Sequence, residues 1–282
     1  NNFTVNLNAI GSATITVADV DNGSTDNCAI ATRTISKSSF TCADTGANMV
    51  KPILNLKSFN FNPSLTFDGD DFLDLALPTG YAIGDTDRTM IVVSSIAINT
   101  TTFDAAYDYG GVVENRSIIG AANGNTLWTT DGDGPTDVFG VNNSFAKDEQ
   151  LMISSRHFGT SNTELLKNAL IVATDNTAWT TDVGSARVGG ATINAVTEFW
   201  EGDIAEVIVY PSDPTDINKV YSYLALKYGI ALNQTTATDY LASDGVAFWD
   251  ASNNTGYTSD IFGIGRNPGA LTRWDAVKTP TL

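Results

Sequence analysis

Histidine, cysteine and methionine are nearly missing from this sequence: one His, two Cys and three Met in 282 residues. A zinc site of the usual kind takes several His or Cys ligands, and this inventory cannot supply them once the cysteines are otherwise engaged. A Ser-His-Asp triad would have to use His157, in "SSRHFG", and nothing like a nucleophile elbow surrounds it. A single His on a strand edge is the expectation. Basic residues are also scarce, 15 Lys and Arg against 32 Asp and Glu, for a formal net charge of −17. Such a chain is repelled by nucleic acid and by anionic membrane surfaces, so neither is expected as a partner. Calcium and neutral glycans remain compatible with it. No run of about 18 apolar residues occurs, so no membrane-spanning helix is expected. The chain opens "NNFTVNLNA", with neither Met nor a charged-then-apolar leader, and ends on "RWDAVKTPTL". It reads as a processed protein or a piece of a longer one.

Apolar residues make up 42% of the sequence, enough for a packed core. Residues 1–50 alternate. Phe3, Val5 and Leu7 fall on one face of "FTVNLNA", and Ala13, Ile15 and Val17 on one face of "SATITVADV". Cys28 and Cys42 sit in a Thr/Ser/Asn-rich β segment with thirteen residues between them. A disulfide suits that spacing and would stabilise by about 3 kcal/mol in the chain-entropy model; two reduced core cysteines are the alternative. With the abundance of Asn, Thr and Ser, the pair points to an exported protein. From 52 to 210 short β patterns recur with Gly, Asn and Asp turns about every ten residues, as in an all-β sandwich. "MIVV" is apolar on both faces, as a core strand would be.

One helix is predicted. Asp213 can cap it, Pro214 stands at its first position and Asp216 favours its first turn. Ile217, Val220, Tyr221, Leu224 and Tyr228 keep helical spacing, and Gly229 can end it in the left-handed conformation. The stripe reads as core packing against the sandwich.

Three blocks carry family resemblances. "DNGSTDNCAIA" and "FTCADTGANMV", in that order, resemble the hyalin-repeat-like Ig modules of very large bacterial surface proteins, although "KPILNLKSF" follows where further module strands would stand. "LTFDGDDFLDL", "VGGA" and "FWEGDIAEVIVYPSDPTDINKVYSYLALKYGIAL" resemble a laminin-G/concanavalin-like jelly roll, and the last block is similar to the terminal strand and helix of such domains in secreted proteins of gliding Gram-negative bacteria. "FWDAS" and "DIFGIGR" resemble the start of a module that follows such domains. "GIGRNPG" lacks the ending of a phosphate loop and is expected to be a hairpin turn. The expectation is an all-β chain: an Ig-like module over 1–50, a laminin-G-like jelly roll over 51–232 ending in a helix at 214–228, and the start of another β module over 233–282.

Acidic clusters are the candidate chemistry. Asp68, Asp70 and Asp71 share one loop, and hard calcium ions take six to eight oxygens from such loops. The resemblance also implies a calcium ion, since laminin-G-like sandwiches commonly hold one; an ordinary Asp-Gly turn is the alternative. Asp131, Asp133 and Asp137 form a second cluster, without a downstream bidentate Glu, and read as a solvated turn. "EGDIAE" places Glu201, Asp203 and Glu206 in the spacing E-x-D-x-x-E, which resembles the catalytic motif of family 16 glycoside hydrolases. Retaining glycosidases need two carboxyl groups about 5–5.5 Å apart. In a regular strand Glu201 and Asp203 share a face, while Glu206 lies on the other with Ile204 and Ile208 unless a bulge intervenes. "IAEVIVY" reads as regular, so catalysis is not expected, and Glu206 is expected to have a structural partner on a neighbouring strand or the helix. Trp128, Trp179, Trp200 and Trp249 could form a sugar-stacking face or belong to the core.

The resulting expectation is a non-catalytic segment of a large secreted or cell-surface adhesin, binding an extracellular glycan, a surface or other surface proteins. The resemblance further implies type IX export and involvement in gliding motility. A structural spacer of a stalk or filament, and a family-16-like glycosidase, are the competing readings; fold alone does not choose among them.

Overall fold

The computed structural model describes residues 4–20, 30–44, 52–56, 59–60, 62–76, 79–96, 103–111, 115–131, 139–193, 196–257, 262–265 and 275–278. Two compact units divide the chain, Asn1–Ser58 and Phe59–Leu282.

In the first unit, β1 (Ser12–Thr14) pairs with β3 (Ser39–Thr41), and β2 (Ile30–Ile35) with β4 (Pro52–Leu56). The alternating pattern does not persist as one long strand. Residues 4–8 are irregular, and Val17–Val20 form a short helix, α1. The reason is local: the Asp19 carboxylate accepts hydrogen bonds from the Thr16 amide at 2.7 Å and its hydroxyl at 2.8 Å, giving the backbone a turn in place of strand pairing. Cys42 opens a 3-10 turn, Cys42–Asp44, with Sγ 3.7 Å from the Gly11 carbonyl. Cys28 lies outside the described residues, and so does the expected pairing.

The second unit is a two-sheet β-sandwich, the all-β jelly-roll class expected from the sequence. Its strands are β5 (Leu65–Asp68), β6 (Leu73–Ala76), β7 (Arg88–Ile96), β8 (Phe103–Gly110), β9 (Arg116–Ala122), β10 (Thr126–Thr130), β11 (Phe139–Val141), β12 (Leu151–Phe158), β13 (Asn162–Lys167), β14 (Leu170–Asp175), β15 (Ser185–Val188), β16 (Gly190–Ile193), β17 (Val196–Phe199) and β18 (Glu201–Tyr210). One sheet has the order β11-β10-β9-β8-β15-β6, the other β14-β13-β12-β7-β18-β5. Consecutive strands β5 and β6 thus form an edge of each sheet, and residues 69–72 cross between them. The faces turned toward each other bury Met90, Val92, Ile96, Tyr107, Tyr109, Ile119, Leu127, Ile153, Leu165 and Trp200.

Helix α2 (Ile217–Tyr228) covers the other side of the β7 sheet, burying Ile217, Tyr221, Leu224 and Tyr228 against Ile91, Val93, Met152 and Leu166. Gly229 ends it as expected, at φ 66°, a conformation that costs a β-carbon-bearing residue. The start differs from expectation. Asp213 does not cap the helix because Arg156 holds its carboxylate with two hydrogen bonds of 2.9 Å, and Asp216 takes the cap position without a side-chain cap bond. Beyond the helix, β19 (Tyr240–Leu241) pairs with β20 (Ala247–Trp249), and β21 (Phe262–Gly265) with β22 (Asp275–Lys278). The glycine turn expected at "GIGRNPG" falls largely outside the described residues.

Gly189 joins β15 to β16 at φ +83°, and a β-carbon there would stand 2.2 Å from the Phe67 ring. Gly189→Ala is therefore expected to cost about 2–4 kcal/mol, from backbone strain plus overpacking. Urea denaturation followed by tryptophan fluorescence measures it.

Candidate functional site

The E-x-D-x-x-E stretch forms the first part of β18, and its geometry differs from the regular strand expected. Asp203 pairs with Ser95 and Ile204 with Ser94, but Glu206 pairs with Val93, so Ala205 is an extra residue, a bulge. Ser95 and Val93 are two apart on β7 and share a face. Glu201, Asp203 and Glu206 therefore all point to the helix side of the sheet, while Ile204, Val207 and Val209 face the core between sheets. The expectation that parity separates Glu206 from the other two acids is thereby corrected.

Sharing a face does not make the three acids a catalytic set. The Asp203 carboxylate accepts hydrogen bonds from Thr66 Oγ1 at 2.6 Å and Ser95 Oγ at 3.2 Å. Glu206 Oε2 accepts from Lys227 Nζ at 2.8 Å and Tyr228 Oη at 2.7 Å, both on α2. Burial pulls the Lys227 ammonium down, but its bonds to Glu206 and the tyrosines win and hold its pKa above the ordinary value. Glu206 is thus a latch between sheet and helix, the partner expected of it.

Further acids lie on β5, β8, β17 and β18 and in the turn after β5. The exposed oxygens of Asp68, Asp70 and Asp71 lie within 4.8 Å of one another. A hydrogen bond with Asp68, and then its charge, raise the Asp70 pKa. Glu201 pairs with Asp68 across β18 and β5, and its Oε2 lies 3.5 Å from where a Gly69 β-carbon would be. Trp200 N donates to Gly189 O and Gly189 N to Ala106 O, both at 2.9 Å, which hangs the β17–β18 corner beside β8. Asp104, on β8, is 7% exposed. Burial first, then the charges of Glu198 and Glu201, push its carboxyl up to about 7. Burial also raises Glu198. Beside these acids Phe72 stacks on Phe199 with centroids 6.0 Å apart, and the Arg187 guanidinium lies 4.4 Å from the centre of the Phe72 ring. Arg187 also binds Asp74 at 2.8 Å.

The other candidates lie elsewhere. Asp131 is buried and accepts from the Thr180 amide at 3.3 Å rather than forming a solvated turn; Asp133 and Asp137 lie outside the described residues. His157 is not on an edge strand. It is buried on β12, with Nε2 2.7 Å from Asp85 and Nδ1 2.7 Å from Thr163, and stacks on Trp179 at 5.0 Å. Burial lowers its pKa despite Asp85. Trp128, Trp179 and Trp200 are buried and Trp249 packs against Tyr240, so the stacking face drawn from the four tryptophans does not form. Sequence reasoning missed Asp104, Glu198, Phe72 and Phe199. "FDGDDF" and "EFWEGD", acids alternating with aromatics, were the available signal.

No helix among the described residues is long and apolar enough to cross a membrane. A family of unknown function, DUF8202, matches residues 216–271, which span α2 and β19 to β21. No curated protein matches the chain. Among solved structures it is similar to the CBM40 of the Ruminococcus gnavus IT-sialidase bound to α2,3-sialyllactose, with 13% identity, TM-score 0.46, and 55% of this chain and 92% of that one covered. It is also similar to a leech intramolecular trans-sialidase, at 14% identity and TM-score 0.46 over 72% of this chain and 30% of that one. Domain 4 of the Geobacillus stearothermophilus arabinanase AbnA, in complex with arabinotriose, is similar at 16% identity and TM-score 0.36, with 52% and 69% covered.

Two outcomes are expected. Glu206→Gln removes the charge that Lys227 and Tyr228 satisfy and lowers stability by about 1–2 kcal/mol, read as a lower denaturation midpoint. Asp104 has a folded pKa raised above its unfolded value, so its contribution is fully present below about pH 4 and lost as pH rises through about 7. In chelator, Asp104→Asn should remove that decline, leaving the variant more stable than wild type at pH 8 by roughly 1–3 kcal/mol once solvent screening is allowed for. Denaturation curves at pH 4.5 and 8 check it.

Proposed function

We propose that the sandwich is a non-catalytic glycan-binding module of a secreted or cell-surface adhesin, with the acidic end as its recognition surface. The observation that carries the reading is the pairing of exposed carboxylates at Asp68, Asp70 and Asp71 with the adjacent Phe72–Phe199 stack. Carboxylates accept charge-assisted hydrogen bonds from sugar hydroxyls. Aromatic faces offer apolar surface to the C–H side of a sugar ring. Sialyllactose, present in one similar structure, carries a carboxylate of its own. The acids here would repel it, so the ligand class proposed is a neutral oligosaccharide. A calcium ion on Asp68, Asp70 and Asp71 would order the turn and add an oxygen-seeking centre. Type IX export and a part in gliding motility belong to the same reading and rest on the family resemblance.

The non-catalytic half of the reading is supported by the partners of Asp203 and Glu206. A general acid or base must reach the proton that it moves. Glu206 instead bonds two side chains of a packed helix.

On an array of neutral and sialylated glycans, the chain should bind neutral ligands, and Phe72→Ala should weaken that binding at least tenfold while the fold survives. Polysaccharide hydrolysis should be absent in wild type and in Glu201→Gln alike. Binding to no neutral glycan, with or without calcium, would sink the proposal and leave the spacer reading in its place.

A further inference from the structure

We propose that residues 79–87 and 176–181 form a plug over one end of the intersheet core, fastened through His157 and loosened by acid. Neither segment holds a strand, yet both bury apolar groups, Ala82 in the first and Trp179 in the second. An isolated bridge, Gly84 to Thr181, joins them. Most of what holds them is polar. Asp85 Oδ1 accepts from His157 Nε2 at 2.7 Å and from the Trp179 amide at 3.1 Å, and Asp87 accepts from the Gly159 amide at 2.9 Å. Arg88 donates to the Gly84 and Thr86 carbonyls and to the Thr181 hydroxyl. Beneath the plug, Tyr109 Oη donates to the Ala82 carbonyl at 3.1 Å. The plug lies at the Arg88 end of β7, whereas the strand carrying Glu201 reaches the acidic turn at the Ile96 end. It does not depend on glycan binding.

An ionised carboxylate only accepts, so the neutral His157 ring carries its hydrogen on Nε2, and Nδ1 accepts from the Thr163 hydroxyl 2.7 Å away. Protonation turns Nδ1 into a donor and breaks that arrangement. It also sets a cation against Trp179, stacked on His157 at 5.0 Å, whose indole already carries the Arg88 guanidinium at 5.5 Å. The charged groups around the ring are Asp85 and Asp87 from the plug and Arg88 from β7. Tyr109 on β8 and Asp131 just past β10 act in turn on Arg88. Burial disfavours the imidazolium most; Asp85 opposes burial, Arg88 reinforces it, and the balance lies below the ordinary histidine value. A folded pKa below the solvated one means that the stabilisation is fully present at neutral pH and lost as pH falls through about 6.5. Strand β12 is paired on both sides, by β7 and β13, so the irregular plug is the part that gives way. Opening it hydrates His157 and restores its ordinary proton affinity, so each pH unit below about 6.5 favours the open form by at most about tenfold.

His157 is the one histidine of the sequence, so its ring protons give an unambiguous NMR titration in the full chain. It should titrate below about 6.5. Hydrogen exchange reads the plug itself, through the Gly84 amide, bonded to Thr181 O at 2.6 Å, and the Trp179 amide on Asp85. From about pH 7 to about pH 5 their protection factors should fall at least about threefold, while that of Val92, inside β7, holds. His157→Gln keeps a donor for Asp85 without a titrating ring and should abolish the fall. Asp104 is present in both proteins, so its own titration cancels in the comparison. Should His157→Gln fail to fold, the wild-type titration and protection factors decide. The proposal is overturned by a His157 that titrates at or above about 6.5. It is equally overturned by protection at Gly84 and Trp179 that survives in acid, by an equal loss at Val92, or by a loss that persists in His157→Gln.

Discussion

Strand β18 has to serve two cores at once, and the way it does so organises the second unit. Its first half must seal the edge against β5, and its second half must face both the intersheet core and helix α2. A perfectly alternating strand could not present Glu206 to Lys227 and Tyr228 while keeping both Ile204 and Val207 in the intersheet core. The extra residue at Ala205 resolves the conflict by shifting the phase of everything after it by one residue. The helix then docks with Tyr221, Leu224 and Tyr228 on Ile91 and Val93, and the Glu206 latch fixes its C-terminal turn.

That phase shift also explains what the sequence could and could not disclose. Apolar periodicity marked the sandwich strands and α2, because burial on one or both faces leaves a direct imprint on residue order. Gly229 was legible because a left-handed helix end favours one residue type. The bulge was not. Nothing in "IAEVIVY" distinguishes a regular run from one that slips past Ala205, since the choice is set by Val93 and Ser95 on a strand about a hundred residues earlier. Asp213 misled for a similar reason. Its role depends on Arg156, a distant side chain whose bidentate grip outweighs a local cap. The candidate site was legible in part: the Asp68–Asp71 turn announces itself as consecutive acids, whereas Asp104 reads as any acid near a strand start. Its significance lies in which segments the fold lays beside it.

The buried charges at the two ends of the sandwich are handled in opposite ways. Toward one end, Arg88 is sealed from solvent but bonds to Ser117, Thr181 and two backbone carbonyls. His157 nearby is shared between Asp85 and Thr163. These groups are paired in place, as stability requires of buried polar atoms. At the other end the fold gathers the Asp68, Asp70 and Asp71 carboxylates in one turn, with the charges of Glu198 and Glu201 acting on buried Asp104 nearby.

Selection for stability alone would neutralise or disperse such a group, because like charges in a partly desolvated corner repel strongly. Keeping them together has a cost, and local rule-breaking of this kind is expected at functional positions. What meets the exposed Asp68–Asp71 turn must carry positive charge or hydrogen-bond donors and be content with oxygen ligands. The glycan proposed for this end would draw on the same carboxylates as acceptors for its hydroxyls, with the Phe72–Phe199 pair alongside.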